Sequence, residues 1–485
     1  MGSLPDLPLL TAIVLTVVLT ILLIKKNLNR NGPLPPGPSG LPFLGNALDM
    51  SGPYPWLKYT EWSKQYGDVV HIKAVGQSII ILSSPKALGD LLEQRDSVPL
   101  CPYGSRLREY RKLMSEVLTP RKVQDFFALE EEKTREFLGC LLRSPDQFLN
   151  HIRRNIAAIV FKITHGYDLQ DGLDPLMELA ERGDHDFSEA ASAGAFLVDS
   201  FPALLYLPRW LGFSWMKKAK IFRKNMEELR DAPWEVVKEQ VKKGTAAPSF
   251  AANLIEKNSN PTKEQEDIYK WVSTGFYAGG ADTTVSAIGS FFLCMSLYPD
   301  IQRKAQEEVL RVVGTNRLPT FSDRPLLPYV DALINEVYRM NPVGPTALPH
   351  RSTKDDHYNG YFIPAGSIGL FCTTPTVYPS PFEFLPERYF DKEAKAKGLN
   401  LDPRKFAFGY GRRVCPGQHL ADNSFFIAVA MILSVFNISR VDEKAPKPDF
   451  SRQRGVYLVD YLCHITPRSE EAAMLIRAND SKDGR

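Results

Sequence analysis

Apolar and polar positions divide the chain into one uninterrupted apolar run near its start and a long body of mixed helical and strand periodicity. Leu7 to Ile24 is apolar apart from Pro8 and three threonines. At 1.5 Å per residue that run spans roughly 27 Å, about the thickness of a thin bilayer core. Asp6 precedes it, Lys25, Lys26 and Arg30 follow it, and no small-residue cleavage site is apparent. These flanks predict an uncleaved signal anchor with everything after Lys25 in the cytosol, not a removed secretory leader. Gly32 to Pro42 then carries five prolines, which fix φ and block helix, so a stiff extended spacer is predicted. The layout is an anchor over 1–31, a hinge over 32–45 and one large domain over 46–485.

Within that domain, short β-branched runs at Val69–Ile72 and Ser78–Leu82 flank Gly76 and predict a small β unit. Pro85 opens an amphipathic helix. The stretch carrying Arg111 is helical, and so is most of Glu130 to Lys243. Phe196 to Phe213 is apolar, aromatic and interrupted by prolines; it reads either as a buried helix pair with its loop or as a lid that dips into a membrane surface. Asp267 to Leu297 is a long helical run broken by AGGADTT (Ala278 to Thr284). Gly360 to Ser367 reads as a hairpin, Phe425 to Val435 as a buried helix, and the polar tail from Ser469 to Arg485 as frayed.

Composition narrows the function classes. The length of 485 residues with 44% apolar and 11% aromatic content supports a large core. A net charge of +3 gives no global field for nucleic acid. Six cysteines, at 101, 140, 294, 372, 415 and 463, have no framework spacing and predict reduced thiols.

Candidate chemistry centres on FAFGYGRRVCPGQHLA, Phe406 to Ala421. Glycines at 409, 411 and 417 let backbone approach something flat, and Arg412 and Arg413 precede the lone Cys415. A thiol at a helix start beside cations is pushed toward thiolate. It could then serve as nucleophile, redox thiol or metal ligand, or be an inert packed cysteine. No CxxC partner is near, and His419 is alone, so a zinc site is excluded. In AGGADTT, mid-helix glycines cost about 1 kcal/mol each relative to alanine; they admit either a helix crossing or a flat ligand. Thr283 can bond its own i−4 carbonyl and open a kink there. Glu336 and Arg339 sit i, i+3 on a helix and can pair.

Phe408, Gly411, Arg413, Cys415 and Gly417 form Phe-x-x-Gly-x-Arg-x-Cys-x-Gly, which resembles the haem-binding loop of the haem-thiolate monooxygenases, the cytochrome P450 family. Order and motifs agree over nearly the whole chain, and the type is fungal-like and microsomal. The resemblance implies a mainly α fold with small β-sheets and haem as cofactor. It makes Cys415 the axial iron ligand, with Phe408, Gly409 and Gly417 shaping the loop. Arg413, Arg111 and His350 contact haem propionates, although Leu107 stands where the family carries tryptophan before Arg111. Gly279 lies against the haem, and Asp282 and Thr283 deliver protons so that O–O cleavage wins over peroxide leakage. Glu336, Arg339 and Arg388 form a buried structural triad.

The implied reaction inserts one atom of O2 into an apolar small molecule. No GxGxxG unit is present for NADPH or flavin, so electrons come from a separate NADPH–cytochrome P450 reductase, with cytochrome b5 as a further donor. The reductase would dock near Arg404, Lys405 and Arg412. The resemblance places the chain on the endoplasmic reticulum membrane. Two segments, 96–101 and 368–377, are shorter than in relatives, which leaves a haem binder with impaired turnover as the alternative. A haem-thiolate isomerase or dehydratase is disfavoured by the intact Asp282–Thr283 pair.

Overall fold

The computed structural model describes residues 32–50, 55–92, 104–170, 172–191, 196, 198, 202–207, 213–371, 377–441 and 462–480. The anchor over 1–31, the shortened loop at 96–101, Cys101, Cys372 and much of Phe196 to Phe213 lie outside them. Helices dominate. In chain order they are α1 (Pro55–Tyr66), α2 (Pro85–Leu92), α3 (Ser105–Leu118), α4 (Phe127–Arg143), α5 (Phe148–His165), α6 (Pro175–Ala191), α7 (Ser214–Lys243), α8 (Phe250–Lys257), α9 (Lys263–Leu297), α10 (Pro299–Val313), α11 (Pro328–Met340), α12 (Gln418–Val435) and α13 (Glu470–Asn479).

Two of these helices form the axis of the core. In α9 every residue from Thr284 to Leu297 is buried, and in α12 Phe425 to Leu433 has no exposed surface. Apolar residues all round a helix require packing partners all round. Helices α4, α5, α10 and α11 supply them, α4 against α12, α5 against α9, and α10 and α11 against both. By length and composition α9 and α12 are the two described helices apolar enough to cross a membrane, yet both lie inside the protein.

The strands form a satellite layer. β1 (Val69–Ala74) and β2 (Gln77–Leu82) make an antiparallel hairpin with Val70 opposite Ile81. β3 (His350–Arg351), β4 (Asp356–Tyr358), β5 (Tyr361–Ile363) and β6 (Ile368–Phe371) follow α11. β6 runs parallel to β2 and antiparallel to β3, giving the order β1-β2-β6-β3. β4 and β5 pair separately, as do β7 (Phe436–Arg440) and β8 (Cys463–Pro467). The proline-rich spacer is laid along this layer: the Pro36 carbonyl accepts from His71 N–H at 3.0 Å and the Pro33 carbonyl from Phe362 N–H at 2.7 Å.

Three expectations need correction. The polar tail is not frayed throughout. Ser469 Oγ caps α13 by accepting from Ala472 N–H, Ala473 and Ile476 are buried one turn apart, and Asp480 pairs with Arg143 at 2.5 Å. A two-residue apolar face suffices because α4 and α12 are there to receive it. Helix α9 also runs without a break through AGGADTT. Its N-terminus is fixed by a Thr262–Gln265 capping box and its C-terminal half by the core, so the flanks carry the glycines. The hairpin, finally, is centred on Asn359–Gly360, where φ is +48° and +81°, and spans 356–363. Asn-Gly is the sequence that such a tight left-handed turn favours.

Candidate functional site

The cysteine loop is built from local backbone rules. A helical turn at Arg404–Ala407 leads into Phe408. Gly409 and Gly411 then take φ of +78° and +58°, values that cost little only without a Cβ. The reversal brings Cys415 N–H back to the Phe408 carbonyl at 2.7 Å, and α12 begins at Gln418. Phe408 is pinned edge-on by Tyr338 of α11, ring centres 5.5 Å apart, and Tyr338 meets Phe425 of α12 the same way at 5.2 Å. The loop is therefore held from behind by the two helices that flank it.

Cys415 is half-buried. Burial pushes its thiol up, while N–H groups of Gly417 and Gln418 donating to Sγ, and the nearby Arg111 cation, act in the opposite sense. The helix start inferred from sequence is present, but among the described residues the cation acting on the sulfur is Arg111 from α3 and not Arg413 beside it in the chain. Such a thiol ionises when a metal cation stands against it, because a coordinating thiol is deprotonated outright. Gly417 has an ordinary φ of −88°; a Cβ there would lie 3.9 Å from Sγ.

Arg111 projects from α3 and donates from Nη1 to the Val414 carbonyl at 2.7 Å. Among the described residues no carboxylate pairs with it, and burial lowers its pKa. Leu107, four residues earlier, is buried. Arg413 is also buried, and with burial it holds His350 down to about 4, so that imidazole is neutral. Arg111 and Arg413 thus bring two cations to one cysteine loop, a setting suited to an anionic ligand. The side chain of Arg412 lies outside the described residues.

Helix α9 supplies an open surface. Ala278 and Gly279 are exposed although the helix beyond them is buried, and nothing lies within 4 Å of where a Gly279 Cβ would stand. Thr283 Oγ1 donates to the Gly279 carbonyl at 2.8 Å, the i−4 bond expected from the sequence. Burial raises the Asp282 carboxyl, opposed by Arg153 of α5. A small-residue shelf, a half-buried sulfur and two cations on the cysteine loop fit a flat, anionic, metal-bearing group.

Glu336, Arg339 and Arg388 do meet. Glu336 has no exposed surface; its carboxylate accepts from Arg339 Nε and Nη2, both at 2.8 Å, and from Arg388 Nε at 3.1 Å. Two partners escaped sequence reasoning: Tyr389 Oη donates to the same carboxylate at 3.2 Å and Leu385 N–H at 2.7 Å. Both flank Arg388 in Phe384-Leu-Pro-Glu-Arg-Tyr-Phe390, and a buried acid needing more than two donors was the available clue. Arg404 is not a free docking cation. It pairs with Asp402 at 2.9 Å and Asp422 at 3.5 Å, leaving Lys405 exposed beside it.

A mainly helical enzyme fold built round a half-buried cysteine loop and a cored long helix is the class these features define. The cytochrome P450 family description matches residues 35–463. The chain is 39% identical to cytochrome P450 monooxygenase 208 of Postia placenta, covering 96% of each chain. It is 39% identical to cytochrome P450 monooxygenase claR of Ampulloclitocybe clavipes, over 98% of this chain and 93% of the relative. It is 35% identical to tryptamine 4-monooxygenase of Psilocybe cyanescens, over 91% and 94%. The chain belongs to the cytochrome P450 family; it is a monooxygenase, and its cofactor is haem with a thiolate-ligated iron.

Proposed function

We propose that Cys415 would be the axial ligand and that the site oxygenates an apolar small molecule, carried above all by an Sγ that accepts from the N–H groups of Gly417 and Gln418 beside the Arg111 cation. Bound there, the haem supplies O2 activation, strengthened by electron donation from the thiolate. The protein residues do the rest. Arg111 and Arg413 balance the propionates, and neutral His350 donates a hydrogen bond to one of them. Phe408 and Gly409 keep the loop's shape, and Gly279 leaves room for the ring. Thr283 would hold a water beside the open surface of α9, and Asp282 would pass it a proton.

Electrons come from a separate NADPH–cytochrome P450 reductase, docking on the side of Lys405, with cytochrome b5 as a second donor. The apolar run over 7–24 anchors the chain in the endoplasmic reticulum membrane, and 32–45 joins it to the catalytic domain. Exposed Leu205 and Tyr206 support contact between that part of the fold and lipid. A spectral screen of apolar compounds against purified holoprotein, followed by reductase-driven NADPH oxidation with product detection, tests the reading. A thiolate-type spectrum with no oxygenated product from any ligand that binds would replace it with a haem binder lacking turnover.

A further inference from the structure

Two guanidinium groups converge on one carboxylate behind the cysteine loop. Asp422 stands in the second turn of α12. Its Oδ2 accepts from Arg324 Nη2 at 2.6 Å and from Arg404 Nη1 at 3.5 Å. Arg324 comes from the turn at Phe321–Leu326, just before α11, and Arg404 from the turn that leads into Phe408. Both arginines are fixed by further partners. Arg324 reaches Asp331 Oδ1 of α11 through Nη2 at 2.9 Å and Nε at 3.2 Å, and Asn423 Oδ1 of α12 through Nη1 at 3.3 Å. Its guanidinium also lies 4.6 Å from the centre of the Phe426 ring. Arg404 donates from Nε to Asp402 Oδ1 at 3.0 Å and from Nη2 to Oδ2 at 2.9 Å, a forked pair that sets its orientation. Arg404 precedes Cys415 and Asp422 follows it, so the two residues stand at the entry and the exit of the loop. The loop interior is closed by Cys415 N–H on the Phe408 carbonyl and by Arg111 on the Val414 carbonyl. Its neck is not closed by backbone: among the described residues no main-chain hydrogen bond joins the Arg404–Ala407 turn to α12. That turn packs on α11 instead, and the side chains of Arg404 and Asp422 bridge to α12.

We propose that Asp422 is a positioning residue for the cysteine ligand: with Arg404 it clasps the neck of the loop, and through Arg324 it ties that neck to α11. This role rests on Cys415 being the axial ligand, and adds a group that acts on Sγ only through the backbone it holds. A ligating side chain is useful only when its supporting shell returns it to one place. With the clasp open, the bonds inside the loop survive, but the loop as a whole is free to shift against α12. The side chains of Arg404 and Asp422 are only 27% and 16% exposed, so salt screens the clasp less than it would a surface pair. Asparagine at 422 can still accept from Arg324 but carries no charge to draw Arg404, whereas glutamate keeps that charge.

The test uses the full-length, haem-loaded chain as wild type, Asp422→Asn, Asp422→Glu, Arg404→Gln and the double variant Asp422→Asn/Arg404→Gln. Two signals are followed in urea: the red-shifted carbon monoxide band of the reduced protein, which reports cysteine ligation, and the far-ultraviolet helical signal. At a urea concentration that leaves the helical signal unchanged, Asp422→Asn should lose the band about tenfold faster than wild type, and Asp422→Glu should recover most of the difference. Arg404→Gln should match Asp422→Asn, and the double variant should be no faster than either, because one link is cut in all three. Amide exchange in the same holoproteins should quicken over 404–417 and stay unchanged over 284–297. A residue that only stabilised the fold would move the band and the helical signal together. Equal rates of band loss in wild type and Asp422→Asn, faster loss only where the helical signal falls with it, or multiplying effects in the double variant would each overturn the proposal. If Asp422→Asn does not fold, Arg404→Gln decides by the same comparison with wild type. A wild type that never shows the band overturns the axial-ligand reading and the clasp with it; a wild-type band lost no faster in the variants overturns the clasp alone.

Discussion

Removal of the Glu336 carboxylate tests how α11 is held to the segment that carries Arg388. In Glu336→Ala, Arg339 and Arg388 stay buried, their charges left to backbone carbonyls: Pro381 at 2.6 Å for Arg339, and Pro379 at 2.6 Å and Ser380 at 3.1 Å for Arg388. Breaking a buried ion pair from one side costs about 3–5 kcal/mol. Here Tyr389 Oη and Leu385 N–H lose an acceptor as well, which puts the cost at the upper end. Against a total stability of about 5–15 kcal/mol, little folded protein should remain at physiological temperature. Arg388→Ala should cost less, because Arg339 still neutralises the acid. The double variant Glu336→Ala/Arg388→Ala should be less damaging than the sum of the singles, by about 0.5–3 kcal/mol. Urea unfolding followed by tryptophan fluorescence, with haem content as a second probe, gives all three values. A Glu336→Ala protein within about 1 kcal/mol of wild type, or strictly additive singles, would refute the account of the triad.

Other changes separate fold from site. Gly279→Ala should stabilise the haem-free chain by up to about 1 kcal/mol, since it removes a mid-helix glycine without a clash, while weakening haem retention; thermal unfolding without haem and haem transfer to a scavenger protein measure the two. Arg111→Met removes the donor to Val414 and a loop cation, and should speed haem loss with a cost of about 1–3 kcal/mol. Thr283→Ala removes a hydroxyl whose only described bond is local, so stability should change by under about 1 kcal/mol. Peroxide released per NADPH should rise at the same time; an unchanged ratio would exclude Thr283 from proton handling. Asp480→Ala strips Arg143 of its buried partner and should loosen α13 from α4, seen as faster amide exchange over 470–479.

The sequence pattern was most informative where one residue type has one conformational reason. Gly409 and Gly411 take left-handed φ, Thr283 makes the back-bond its hydroxyl allows, and Glu336 finds both arginines. It was less informative where the outcome depended on what lies opposite. Nothing in Ser469 to Arg485 announced that α4 and α12 would receive Ala473 and Ile476. The AGGADTT segment looks like a helix break when its flanks are out of view. The cation that acts on Cys415, Arg111, comes from another helix, which neighbours along the chain do not report.

The central claim is that Cys415 ligates the haem iron through sulfur. It is tested most directly by the carbon monoxide difference spectrum of the reduced, haem-loaded protein, recorded beside Cys415→Ser. Wild type should give the strongly red-shifted Soret band of a thiolate-ligated haem, and Cys415→Ser should lose it while keeping the helical content of the fold. A wild-type spectrum without that band, or the same band in both proteins, would contradict the account.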